Sequence, residues 1–248
     1  MSSTDWPQAA VASLKAAGLN YDFLLAASER AAFLHGLVVT LELAMAAIVC
    51  SLVAGLLLAA MLVSRHGWLA LPARAFVEVT RNTPTLVQLY CAFLVLNMLI
   101  TEALKLSGGN PLTPFLWVVV VISLHKAAFH AEALRAGLQA VPPVMLEAAA
   151  SLGFTTTRRL WLVQFPLALR FALPSLVNNL VDLVKMTTVA SAIAVGDVTY
   201  QAIMIWSQRD NVLELMLLLL IFFGLLTWLV NRGGRALEHY WRMPGYGR

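Results

Sequence analysis

The sequence predicts an all-α integral membrane protein whose chain crosses the bilayer five times. Three observations carry that prediction. Of its 248 residues 60% are hydrophobic and only 12% are charged. Soluble globular chains are about 45–50% apolar and about 25% charged, so this chain has too few polar groups to cover a water-facing surface. It also holds several charge-free runs of the roughly 20 residues that a helix needs to cross about 30 Å of hydrocarbon. Those runs are solidly apolar, whereas barrel strands alternate apolar and polar over about 10 residues. A β-barrel is excluded.

The first 30 residues lack the basic n-region, apolar core and small-residue cleavage site of a signal peptide. No cleaved leader is expected, and residues 1–30 read as an external tail. Within it, residues 22–30 read as a short amphipathic helix leading into the membrane. Spans one, two and three are residues 43–63, 82–101 and 106–124, none of which contains Asp, Glu, Lys or Arg. Span four, residues 171–196, is apolar except for Asp182 and Lys185, and span five, residues 215–231, is charge-free but shorter. The membrane domain is therefore expected over 31–232, with a tail at 233–248. Cys50 and Cys91 sit inside apolar runs and read as small apolar filler.

Basic residues set the expected orientation. Arg65, Arg74 and Arg81 lie between spans one and two, and Lys126, Arg135, Arg158, Arg159 and Arg170 between spans three and four. The tail adds Arg232, Arg235, Arg242 and Arg248, while the opposite side holds only Lys15, Arg30, Lys105 and Arg209. The positive-inside rule places the richer side in the cytoplasm. The N-terminus is then outside and the C-terminus inside. The formal net charge of +4 thus reflects topology, and no nucleic-acid partner is expected.

Turns are marked by composition. Ser107-Gly108-Gly109-Asn110-Pro111 is a break between spans two and three. Pro142-Pro143 ends the helix that begins near Pro114, because neither proline donates a backbone hydrogen bond and each disfavours a helical predecessor. A separate short helix is predicted over 144–152, with Gly153 as its stop, and Pro166 and Pro174 punctuate the start of span four. This polar, partner-facing connection can lay a short helix into a groove on another protein. Ala148, Ala149 and Ala150 permit close backbone approach, and Glu147, expected near the helix start, favours the helix dipole.

Glu147-Ala148-Ala149, three residues, Gly153, nine residues, then Val163-Gln164-Phe165-Pro166 resembles the EAA loop of ATP-binding-cassette (ABC) importer permeases, here residues 147–166. The family pattern closes on Ile-x-Leu-Pro, and Val163 and Phe165 keep its apolar character. A second block, Glu78-Val79-Thr80-Arg81-Asn82-Thr83-Pro84-Thr85-Leu86-Val87-Gln88, is similar to the E-x-x-R-G-T-P-x-L-V-Q stretch of the polar amino-acid permeases of the histidine, glutamine and glutamate type. Further matches are residues 36–40, Ala131-Glu132 with Arg135-Ala136-Gly137, and Lys185-Met186-Thr187-Thr188. Together they cover roughly residues 35–230. The chain departs at Val144-Met145, where the family has Gly-Gln, at Leu167, where Gln is common, and at Asn82, where it has Gly.

The resemblance implies a transmembrane permease subunit of an importer in the bacterial inner (cytoplasmic) membrane, in contact with its lipid. Its implied partners are an ATPase dimer, a second permease subunit of the same or a homologous kind, and a periplasmic substrate-binding protein. The substrate is expected to be a polar amino acid or a related small solute. Glu147, Ala148, Ala149 and Gly153 are the expected ATPase-coupling residues. No cofactor is expected in this chain, since ATP and Mg²⁺ would be held by the partner ATPase. Independently of the resemblance, the chain has no G-x-x-x-x-G-K-[ST] phosphate-binding loop: its only lysines are Lys15, Lys105, Lys126 and Lys185, and none follows a glycine.

Within span four, Asn178, Asp182 and Lys185 share one helical face, with Asn179 beside it. Ionisable groups inside a membrane are costly, so they pair or line a cavity. Two readings stay open: a polar pathway for a zwitterionic solute, or a local Asp182–Lys185 pair that packs helices. Gln88 and Glu42 are weaker pathway candidates, Glu42 and Glu214 also reading as interfacial residues. Arg81 reads either as part of a gate with Gln88 or as an anchor. His125 and His130 are five apart, which does not align them as the i, i+4 of H-E-x-x-H does. They read as helix-end residues near the cytoplasmic interface, with no metal site. The alternative function is an ATP-independent secondary transporter or channel, against which the missing internal repeat argues. An intramembrane enzyme has no nucleophile–base or metal constellation to support it.

Overall fold

The computed structural model describes residues 6–104 and 111–241. The turn expected at 107–111 falls almost wholly outside these, as do Lys105, Arg242 and Arg248 among the basic markers. Among the described residues, five helices are long and apolar enough to cross a membrane. Their number is the one predicted from the charge-free runs. Their bounds are not.

Helix α1 (Trp6–Ala16) is short. A single 3₁₀ turn at Asp22–Leu24 replaces the amphipathic helix expected over 22–30, and α2 (Ala27–Leu62) follows directly. The charge-free reading starts the first span at 43 because Glu42 interrupts it. A side chain alone breaks no backbone hydrogen bond, and α2 runs through it for 36 residues, about 54 Å at 1.5 Å per residue. After α3 (Gly67–Arg81) the chain turns at Asn82-Thr83-Pro84. The second span, α4 (Thr85–Ala103), therefore starts behind the proline and contains a π-helical turn at Cys91–Leu96.

The third span departs most. Helix α5 (Pro114–Gln139) begins with Thr113 as its cap, whose hydroxyl accepts from the Leu116 amide at 3.3 Å, and with Pro114 in the first turn. It continues 15 residues past the span limit expected at 124, almost to the Pro142-Pro143 break expected to end it, and His125, Lys126 and His130 are buried among neighbouring helices. These three are mid-helix residues, not the helix-end and cytoplasmic-loop residues expected. Helix α6 (Pro143–Ser151) is the predicted short helix. Helix α7 (Thr156–Ile193) contains a π-helical turn at Leu160–Gln164 and closes in a 3₁₀ turn, Thr187–Ile193, that ends on left-handed Ala194 (φ 58°). Helix α8 (Val198–Trp206) is capped by Asp197, whose carboxylate accepts from the Thr199 and Tyr200 amides at 3.3 and 3.0 Å. Helix α9 (Val212–Tyr240) is the fifth span.

Helix α5 is the centre. In its most apolar 18-residue stretch 67% of residues are buried, against 11% for α4 and 17% for α9. Helices α2 and α7 pack along it, α9 lies on α7, and α8 lies on α2. Without a hydrophobic force between helices in lipid, close approach of small residues supplies the packing. At Gly137 on α5 an added Cβ would lie 2.3 Å from the Ala168 carbonyl of α7. One core cluster joins Leu43, Leu89, Val118, Ile122 and Leu183 across α2, α4, α5 and α7. Another seats Phe23 and Phe33 against Val198, Ala202 and Leu215, tying the segment before α2 to α8 and α9. Buried Glu214 strengthens that tie by accepting from the Asn20 amide at 2.5 Å. The outward faces of α4 and α9 are apolar, with Leu94, Leu99, Leu220 and Trp228 exposed.

Candidate functional site

Two groups of the predicted residues have a defined geometry, one at α6 and one along α7. Helix α6 is closed at both ends. Pro142 is extended (ψ 132°) and Pro143 takes the first turn, where a missing amide hydrogen costs nothing. At the other end Gly153 has φ +80°. Its amide donates to the Ala150 carbonyl at 2.9 Å, and the Phe154 amide donates to the Ala149 carbonyl at 3.1 Å. This is the Schellman pattern, which needs a left-handed residue after the last turn. The Thr155 hydroxyl then accepts from the Arg158 amide at 3.4 Å and caps α7, which starts three residues after Gly153. Little slack remains between α6 and the fourth span.

The faces of α6 differ. Ala149 is buried, and Met145 and Leu146 pack with Val141, Leu167 and Ala168 against the ends of α5 and α7. Val144, Glu147, Ala148 and Leu152 point outward. The expected coupling residues therefore divide: Ala149 anchors, Gly153 ends the helix, and Glu147 and Ala148 are presented. Glu147 is also placed differently from its expected position near the helix start. Because Pro143 begins the helix, Glu147 lies beyond the first turn, which holds no acid, and out of reach of the dipole effect.

Along α7, Asn178, Asp182 and Lys185 form one exposed stripe, with Asn179 half-buried beside it. The local Asp182–Lys185 pair is not formed. Asp182 pairs instead with Lys126 of α5, whose side chain is 2% exposed while that of Asp182 is 58% exposed. A buried ammonium, also 5.0 Å from the Phe129 ring centre, thus reaches the exposed stripe through one carboxylate.

Next to Lys126, His125 joins a chain of hydrogen bonds. Its Nδ1 donates to the Gln88 carbonyl oxygen at 3.1 Å, and its Nε2 accepts from the Thr85 hydroxyl at 3.1 Å. The Gln88 amide nitrogen donates to the Thr80 carbonyl at 2.9 Å and to the Thr83 hydroxyl at 2.5 Å. One amide orientation and one imidazole tautomer satisfy all four contacts. Gln88 therefore fastens the α3–α4 turn to α5, and the structure gives it no contact with the α7 stripe. Arg81 lies 3.9 Å from Glu132, which Arg135 engages with two hydrogen bonds at 3.0 and 2.5 Å, and its guanidinium sits 5.3 Å from the Phe129 ring centre. The 78–88 block and the residues from Ala131 to Gly137 are thereby brought together. Glu42 is exposed on α2, and among the described residues no hydrogen bond or ion pair links it to the stripe.

Lys126 and His125 are the residues that the charge-free reading placed wrongly. The helix expected from Pro114 to the Pro142-Pro143 break already encloses both; only the end of the charge-free run put them past the span.

The family model for the inner membrane component of binding-protein-dependent transport systems matches residues 51–242. The octopine transport system permease protein OccM of Rhizobium radiobacter is 31% identical over 212 residues, covering 84% of this chain and 84% of that protein. The arginine transport system permease protein ArtQ of Bacillus subtilis (strain 168) is 27% identical over 220 residues, covering 89% and 97%. Among solved structures, a crystal structure of an amino acid ABC transporter with histidines superposes with a TM-score of 0.75 at 29% identity, covering 90% of this chain and 100% of that one. The methionine transporter MetNI in an inward-facing form shares the fold, with a TM-score of 0.66 at 19% identity over 86% of this chain and 97% of that one.

Proposed function

This chain belongs to the family of binding-protein-dependent transport system inner membrane components, and we propose that α6 is the joint through which a separate ATPase drives it. The chain is a permease subunit of an amino-acid ABC importer. Two permease subunits, identical or homologous, would form the pathway in the bacterial inner membrane, with the N-terminus outside and the α6 end inside. A periplasmic binding protein would deliver a polar amino acid or related solute, as the octopine and arginine relatives suggest. ATP and Mg²⁺ belong to the ATPase.

The observation that carries this reading is the construction of α6. One face is packed on the ends of α5 and α7, the opposite face offers Val144, Glu147, Ala148 and Leu152, and Gly153 and Thr155 join it to α7 without slack. A push on the outer face is then transmitted to the fourth span as a rigid-body rotation. That span carries the Asn178, Asp182 and Lys185 stripe, the proposed polar contact for the zwitterionic solute. The test is Glu147→Lys in the full chain expressed with its ATPase. The reading predicts loss of ATPase co-purification with the membrane fold intact by thermal melting. Undiminished co-purification and transport would remove α6 from the mechanism.

A further inference from the structure

At the α6 end, a cavity of about 620 Å³ opens between α2, α5 and α7. That volume is within the roughly 300–1,000 Å³ of small-molecule sites. Its origin is local. Ala59 and Ala60 of α2 and Ala168 of α7 leave space where larger side chains would meet, and the π-helical turn at Leu160–Gln164 widens α7 at the same level. The walls are mainly aliphatic, and Leu56 and Trp161 at its edge face outward, 49% and 60% exposed. The mouth therefore opens sideways, toward hydrocarbon.

Two cations stand on this apolar slot. Arg65, just past the end of α2, and Arg159, in the first turn of α7, both line the cavity, as does Gln164. Among the described residues neither guanidinium has an ion-pair or hydrogen-bond partner. Arg81 and Arg135, by contrast, share Glu132. An apolar slot open to the acyl region, topped by two uncompensated guanidiniums and an exposed tryptophan, is complementary to one kind of molecule. Arginine forks match phosphate oxygens, tryptophan favours the headgroup level, and basic pockets between membrane helices take anionic headgroups.

We propose that this cavity is a binding site for an anionic phospholipid of the bilayer, one acyl chain between α2 and α7 and its phosphate held by Arg65 and Arg159. The site is separate from the α7 stripe and from the outer face of α6.

The experiment purifies the full chain with its ATPase from mixed micelles of equimolar phosphatidylglycerol and phosphatidylcholine. Retained lipid is counted by native mass spectrometry. With each basic residue favouring an anionic headgroup about fivefold, the pair predicts a preference of roughly 25-fold for phosphatidylglycerol. Arg65→Gln with Arg159→Gln should abolish the preference. Ala60→Phe, which fills the slot and keeps the cations, should abolish retention of both lipids. Equal retention of the two lipids by the unaltered protein, or an unchanged preference in the double variant, overturns the proposal. So does displacement by inorganic phosphate with retention unaffected by Ala60→Phe, which would mark a free-anion site.

Discussion

Gly153 allows the role of α6 to be tested apart from any contact it makes. Its φ of +80° places it in the left-handed region, and nothing lies within 4 Å of the Cβ that a substitution would add. Gly153→Ala therefore brings no clash inside the chain. It imposes only the backbone cost of a left-handed L-residue, about 1–2 kcal/mol. If the turn relaxes to escape that cost, the amide bonds from Gly153 and Phe154 to the Ala150 and Ala149 carbonyls go with it, and α6 is no longer fixed to α7. The cost corresponds to a roughly 5- to 30-fold smaller population of the correctly ended helix. ATP-driven uptake and ATPase affinity should fall by that factor. Asparagine tolerates the left-handed region better than alanine, so Gly153→Asn should recover most of both despite its larger side chain. Titration of detergent-purified permease with its ATPase, alongside uptake in cells, reads the two quantities. If Asn is as damaging as Ala or worse, glycine is needed for space against the ATPase and the backbone argument is refuted.

Two further outcomes follow from the buried charges. Asp182→Asn strands the buried Lys126 ammonium and should cost on the order of 3 kcal/mol in detergent melts, whereas Lys126→Met leaves a carboxylate that is already 58% exposed and should cost less; the double variant should recover most of the loss, and Lys126→Met being the costlier change would refute the assignment. Asp197 is fully buried between α7 and α8, and burial pushes its carboxyl up from 3.8 to about 6 in spite of its amide partners. A folded state that holds the proton more tightly is most stable below the unfolded value, and the contribution is lost as pH rises from about 4 through about 6. Asp197→Asn keeps an acceptor for the α8 amides, so thermal melts across that range should lose a pH-dependent part on the order of 3 kcal/mol; an unchanged slope would contradict the cause given.

Much of this architecture was legible in the residues. Hydropathy gives the five spans because lipid leaves a backbone few options, and the Pro142-Pro143 pair and Gly153 delimit α6 to within a residue at each end. Span limits were less legible, since charge-free runs measure side chains while helices are ended by backbone chemistry. Glu42 leaves α2 intact, and Lys126 sits inside α5 because Asp182 reaches it from α7. Partner choice at 56 residues' separation depends on how α5 and α7 cross, which spacing along one helix does not encode. The split within Glu147-Ala148-Ala149 has the same origin, because only the packed ends of α5 and α7 decide which alanine faces inward.

The central claim, that this chain moves solute only when driven through α6 by a separate ATPase, is tested most directly by uptake of a labelled polar amino acid into proteoliposomes. The chain is reconstituted alone, then with its ATPase and binding protein, each with and without ATP. The account predicts uptake only in the complete, ATP-supplied vesicles, and its loss there when Glu147→Lys is introduced. Equal flux through the chain alone, without ATP, would contradict it and establish an ATP-independent transporter or channel.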